Sequence, residues 1–264
     1  MKKILLGFIA IGLLTFVGCE KDDDTETTDD QTVNNTQTNS NNSSDDSSTD
    51  ADSDDGTTET TSGEAKDPDG YTYKTVIIGE HEWFAENLKT SKYNDGTAIP
   101  NVTNDDQWKD LTTGAWCHYD NDNQYDTIYG KLYNWYTVET GKLCPTGWHV
   151  WASADWDSLY GYLYDITGSN TGTVIKSASG WDGGVPGTDD YGWKALPGGI
   201  RSDNGAFGGE GVSGRWWTSI EDYNNAWCHY LAKSQKWSEE VHYDDLHNMP
   251  MKKVVGMSVR CVKD

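Results

Sequence analysis

Cys144-Pro145-Thr146-Gly147-Trp148-His149-Val150 leads through Trp151 and Ala152 into Ser153-Ala154-Asp155-Trp156-Asp157-Ser158-Leu159-Tyr160-Gly161-Tyr162-Leu163. Residues 153–163 form the best helical pattern in the chain. Ser153 can cap its start, and Trp156, Leu159, Tyr160 and Leu163 recur on one face. Outward from this helix the pattern changes. Residues 71–78 read as a strand, Gly79-Glu80 as a turn and residues 81–84 as the returning strand. Asn94-Asp95-Gly96 is a further turn signal. Residues 132–138 fit either state. Residues 216–219, 226–232 and 257–262 read as late strands. All 13 Trp and all 15 Tyr lie after residue 70. Long apolar periods are absent. The expected fold is therefore α+β, with short antiparallel strands, one or two helices and long Gly/Trp-rich loops. The expected domain is 66–264, long enough for one core.

The N-terminal quarter has a different composition. Met1-Lys2-Lys3 is basic and residues 4–17 are apolar. That run is too short to span a bilayer and has the layout of a secretory signal peptide, assigned to 1–18. Phe16-Val17-Gly18-Cys19 resembles a bacterial lipobox, which makes Cys19 the expected lipidation site. Glu20-Lys21-Asp22-Asp23-Asp24 resembles the export signal of Bacteroidetes surface lipoproteins. The expected location is the outer membrane, lipid-anchored and facing outward. Residues 20–65 hold 15 acidic residues, 18 Ser or Thr and no aromatic residue. Such a segment cannot bury enough surface to offset its ordering entropy. Residues 19–65 are expected to be a lipidated, acidic, disordered stalk.

The formal net charge is −23. A nucleic-acid partner is excluded on this ground, since that affinity starts with phosphate neutralisation. The expected partners are the membrane, through the anchor, and a glycan or surface protein.

Several stretches together carry a family likeness. They are Asp67-Pro68-Asp69-Gly70-Tyr71, Tyr73-Lys74-Thr75-Val76-Ile77-Ile78-Gly79, Ala85-Glu86-Asn87-Leu88 and Tyr129-Gly130-Lys131-Leu132-Tyr133-Asn134-Trp135. The stretch from Cys144 to Val150, Trp216-Trp217-Thr218-Ser219 and Ser258-Val259-Arg260-Cys261-Val262 complete the set. Residues 66–263 thereby resemble the Fibrobacter succinogenes major paralogous domain. The Cys-Pro segment before a helix and the terminal Val-Arg-Cys-Val strand also resemble the C-type lectin and formylglycine-generating-enzyme fold. Fold likeness does not give function.

Beyond Cys19 there are four cysteines, 117, 144, 228 and 261, and three possible pairings. An exported protein favours disulfides. The lectin-like resemblance implies Cys144–Cys261, which leaves Cys117–Cys228. Cys117 and Cys228 each sit in Ala-Trp-Cys-His-Tyr, at 115–119 and 226–230. Two such strands side by side would bring the sulfurs together. A metal held by Cys117, His118, Cys228 and His229 is disfavoured, because adjacent strand residues face opposite ways.

No catalytic constellation emerges. His81-Glu82-Trp83-Phe84-Ala85 begins like a zinc-protease motif but has alanine where the second histidine belongs. A non-catalytic binding module is the expected function. The alternatives are a formylglycine-generating-type or glycan-active enzyme, or a structural surface-coat protein. Trp181, Trp193 and Trp237 are the candidate glycan-stacking residues, in or near the loop region 165–215. Asp120, Asp122 and Asp126 form an oxygen-rich loop that could take calcium, although the full calcium-loop pattern is missing. No other cofactor is expected.

Overall fold

Strand β2 (Thr72–Ile78) buries Tyr73, Thr75 and Ile78, while Thr72, Lys74 and Ile77 face out. Gly79, at φ 63°, and Glu80 turn the chain into β3 (His81–Phe84). Only a residue without Cβ takes that backbone conformation freely. The hairpin matches the expected one. It belongs to a computed structural model that describes residues 63–183, 186–233 and 247–264. The expected signal peptide, Cys19 and nearly all of the stalk lie outside the described residues.

The described residues form a mixed α+β unit with mostly antiparallel strands. One sheet has the order β1-β2-β3-β12-β6, adding β1 (Glu64–Lys66), β6 (Trp148–Val150) and β12 (Cys261–Lys263). Strand β1 pairs with β2 in the register Glu64↔Lys74, so ordered pairing begins two residues before position 66. A second sheet has the order β11-β10-β9, with β9 at Ser213–Asp222, β10 at Asn225–Ala232 and β11 at His247–Lys252. Two small ladders complete the set. One pairs β4 (Trp116–Cys117) with β5 (Leu132–Tyr133), the other β7 (Gly198–Arg201) with β8 (Phe207–Glu210).

Five α-helices are described, more than expected, but four are single turns: α1 (Asp105–Lys109), α2 (Asp126–Tyr129), α3 (Trp135–Val138) and α5 (Thr171–Ile175). The long one, α4, runs over Ser153–Thr167, a turn beyond the expected end. Its cap position is Ala152 rather than Ser153. The Asp155 carboxylate does the capping work by accepting the Ala152 N–H at 2.7 Å. Trp156, Leu159 and Leu163 are buried as the pattern required. The ambiguous stretch 132–138 is both states in turn, two strand residues and then α3. Asn134 switches it, accepting N–H bonds from Thr137 at 3.2 Å and Ala115 at 3.0 Å. The expected strand over 257–262 is broken. Met257 and Ser258 make isolated bridges, and the regular ladder is confined to β12. No described helix is long and apolar enough to cross a membrane.

The core is built from indoles. Trp83, Trp151, Trp193, Trp216 and Trp217 are almost fully buried. Trp151 is edge-on to Trp83 and Trp156, at 5.5 and 5.0 Å between ring centroids, the arrangement that ring quadrupoles prefer. A smaller cluster gathers Trp108, Ala115, Cys117, Tyr119 and Leu132.

Candidate functional site

Cys144 and Cys261 are joined by a disulfide with Cα atoms 6.0 Å apart. It ties the segment before β6 to the strand paired with β6. Cys117 and Cys228 do not form the expected second bridge and are free, buried thiols. The two Ala-Trp-Cys-His-Tyr segments are not neighbours. Cys117 pairs with Leu132 in the β4–β5 ladder, and Cys228 pairs with Trp217 and Met249 in the second sheet. Burial pushes each thiol up to about 12. A protonated thiol is a poor nucleophile and a poor metal ligand, so these two cysteines do not supply a reactive pair. No group of three or more His, Cys, Asp or Glu is placed to hold a metal among the described residues.

The oxygen-rich loop spends its carboxylates locally. Asp126 lies between His118 Nδ1 at 2.6 Å and Lys131 Nζ at 2.5 Å. Asp122 accepts the Gln124 N–H at 3.0 Å and caps a 3₁₀ turn. Asp120 is exposed, at φ 50°. The three are not gathered around a common point.

Of the tryptophans expected on a binding face, Trp193 is taken into the core. Trp193 is 1 % exposed. The Arg260 guanidinium lies 3.7 Å from its ring centroid, and Trp216 packs on it edge-on. It is a core residue. Trp181 is half-buried against the core, its Nε1–H donating to Ser177 Oγ at 3.1 Å and its ring under Lys176 Nζ. Trp237 lies outside the described residues.

An aromatic cleft occurs at another place, between the start of α4 and the β9–β10 sheet. It has a volume of about 250 Å³ and is lined by Ser153, Trp156, Asp157, Thr218, Ile220, Trp227 and His229. Residues 153, 156 and 157 share one end and one side of α4, as a period of 3.6 dictates. Trp227 and His229 alternate with Cys228 along β10 and so share a face. That alternation was the available signal for the site. Trp227 is half-buried, whereas Trp156 and His229 are 8 % and 5 % exposed. His229 Nδ1 is buried without a hydrogen-bond partner, and burial lowers the imidazole to about 4. The cleft therefore exposes the Trp227 indole, the Ser153 hydroxyl and the Asp157 carboxylate over a floor of Trp156, Thr218 and His229. These groups can stack on a ring and exchange hydrogen bonds with its hydroxyls.

A larger cavity, of about 520 Å³, is lined by Glu80, His81, Glu82, His149, Asp155, Lys263 and Asp264 among others. Much of its charge is already paired. His149 contacts Asp264 and Asp155 at 2.7 and 3.2 Å, and Glu82 takes Lys263 at 2.6 Å. The aromatic cleft offers more to a ligand.

The family model described as Fibrobacter succinogenes major domain matches residues 76–263, a span holding the cleft, both sheets except β1 and the start of β2, and the disulfide. No curated protein and no solved structure matches the chain.

Proposed function

The chain belongs to the Fibrobacter succinogenes major domain family, and on that premise we propose that it is a lipid-anchored protein of the outer cell surface whose domain is a non-catalytic binding module. The anchor and location rest on the lipobox-like Phe16-Val17-Gly18-Cys19 and the acidic stretch after it. The proposed ligand is a neutral glycan or polysaccharide. The cleft with Trp156, Trp227 and His229 supports this reading, because it joins stacking surface to uncharged hydrogen-bonding groups. Asp157 and the acidic domain disfavour an anionic ring there. The cleft contains one carboxylate, so calcium is not required for this mode.

We further read the fold as C-type-lectin-like. The disulfide ties the segment before the long helix to the last strand, and the first and last strands share a sheet. A protein partner is the second reading. It is supported by Tyr162, Tyr164 and Ile166, exposed along the second half of α4.

The test is a glycan and polysaccharide array probed with the purified protein, with and without a calcium chelator. Binding to neutral glycans, unaffected by the chelator and lost in Trp227→Ala, is the expected result. A blank array with a folded, disulfide-intact protein would overturn the glycan reading and turn attention to the α4 face.

A further inference from the structure

A second groove, of about 180 Å³, lies on the β7–β8 hairpin beside β9. Ile200 and Phe207 line it with apolar surface, Ser202 and Ser213 with hydroxyls, and Gly208-Gly209 with bare backbone. Arg215 is the one charged residue in its lining. Among the described residues its guanidinium is poorly satisfied. Nη1 reaches Met249 Sδ at 4.0 Å, a weak acceptor, and Nε is buried with no partner. The Tyr230 ring, directly across the β9–β10 ladder, lies 5.3 Å from the guanidinium carbon. Arg215 makes no ion pair among the described residues, although residues 66–264 hold 28 acidic groups against 17 basic. The other two arginines are better supplied with oxygens, although Arg260 Nε is also without a partner among the described residues. Arg201 donates to three carbonyls and Asp105, and Arg260 to two carbonyls and Asn87.

We propose that this groove is a second binding site, which takes a carboxylate-bearing sugar of the uronic-acid class through Arg215. A guanidinium presents a planar fork of N–H donors that matches a carboxylate in two parallel bonds. The hydroxyls and the apolar wall then face the ring that carries the carboxylate. None of the lining residues belongs to the aromatic cleft, so this site stands independently of the neutral-glycan reading.

The probes are polygalacturonate, its fully methyl-esterified form and inorganic sulfate, titrated calorimetrically against the full chain in detergent. Polygalacturonate is expected to bind, and the ester, which keeps the ring and loses the charge, is not. Arg215→Gln should weaken binding by about thirtyfold or more, the usual penalty for removing one partner of a charged contact. Arg215→Lys should recover part of it. Gly208→Trp provides a second variant, since a Cβ added there meets nothing within 4 Å and the indole would obstruct the groove without straining the fold. Trp227→Ala should leave this binding unchanged. The proposal is overturned if polygalacturonate does not bind, if the ester binds equally, or if both Arg215→Gln and Gly208→Trp bind like the wild type. Sulfate binding as tightly as the uronate would overturn the sugar assignment.

Discussion

The His229 imidazole lies against the Trp156 indole, with ring centroids 4.1 Å apart and planes 24° from parallel. The contact joins β10 to the first turn of α4, the two walls of the aromatic cleft. It also keeps the imidazole away from water, and therefore neutral.

That burial makes stability depend on pH. The imidazole titrates near 6.5 when unfolded and near 4 when folded. Between these values the unfolded chain binds more protons, so stability rises with pH. The contribution is complete above about pH 6.5 and is lost as pH falls toward 4, up to about 3 kcal/mol. Urea midpoints across this window should slope less in His229→Gln than in the wild type. Equal slopes would show that His229 is solvated.

Two tryptophans should separate packing from recognition. Trp193→Ala removes a fully buried indole and should cost about 3–5 kcal/mol. Trp227→Ala should change stability by less than about 1 kcal/mol while weakening glycan binding about tenfold or more. Denaturation and array binding, measured on both variants, check the pair.

The cysteines give a chemical count. Ellman's reagent should not reach Cys117 or Cys228 in the folded protein and should reach both after denaturation. Reducing Cys144–Cys261 should cost about 2–5 kcal/mol. Peptide mapping after differential alkylation distinguishes the bridge from the two thiols.

Asn87 has every side-chain group engaged. Its Oδ1 accepts from Trp216 Nε1 and Arg260 Nη2, both at 2.8 Å, and its Nδ2 donates to Tyr129 O and Ser258 Oγ. Arg260 is fully buried, and burial lowers it to about 9. Asn87→Ala takes an acceptor from that guanidinium and should cost about 3 kcal/mol or more. Asn87→Asp, which keeps the acceptor, should cost less. Thermal melts of the two variants give the comparison.

Local features of this fold were legible in the chain. The β2–β3 hairpin follows from its glycine turn, and the buried face of α4 from its period. The Cys144–Cys261 bridge was accessible only through a resemblance. What escaped depends on distant neighbours. Trp193 is buried because Arg260, 67 positions later, packs across its face. Two identical pentapeptides have the same local pattern but join different sheets, because their flanking turns deliver them to different partners. The aromatic cleft was hidden for the same reason. Trp156 and Trp227 are 71 positions apart, and only the packing of α4 on the second sheet brings them together.

The disulfide also has a consequence for survival in the presence of proteases. Every residue lining the cleft and the Arg215 groove lies between Cys144 and Cys261. A cut at any one peptide bond between those cysteines opens a covalent ring and releases no fragment. Both pieces stay joined through the sulfurs, and noncovalent packing can hold them in place. A nicked molecule therefore keeps the cleft and the groove connected to whatever holds its N-terminal side.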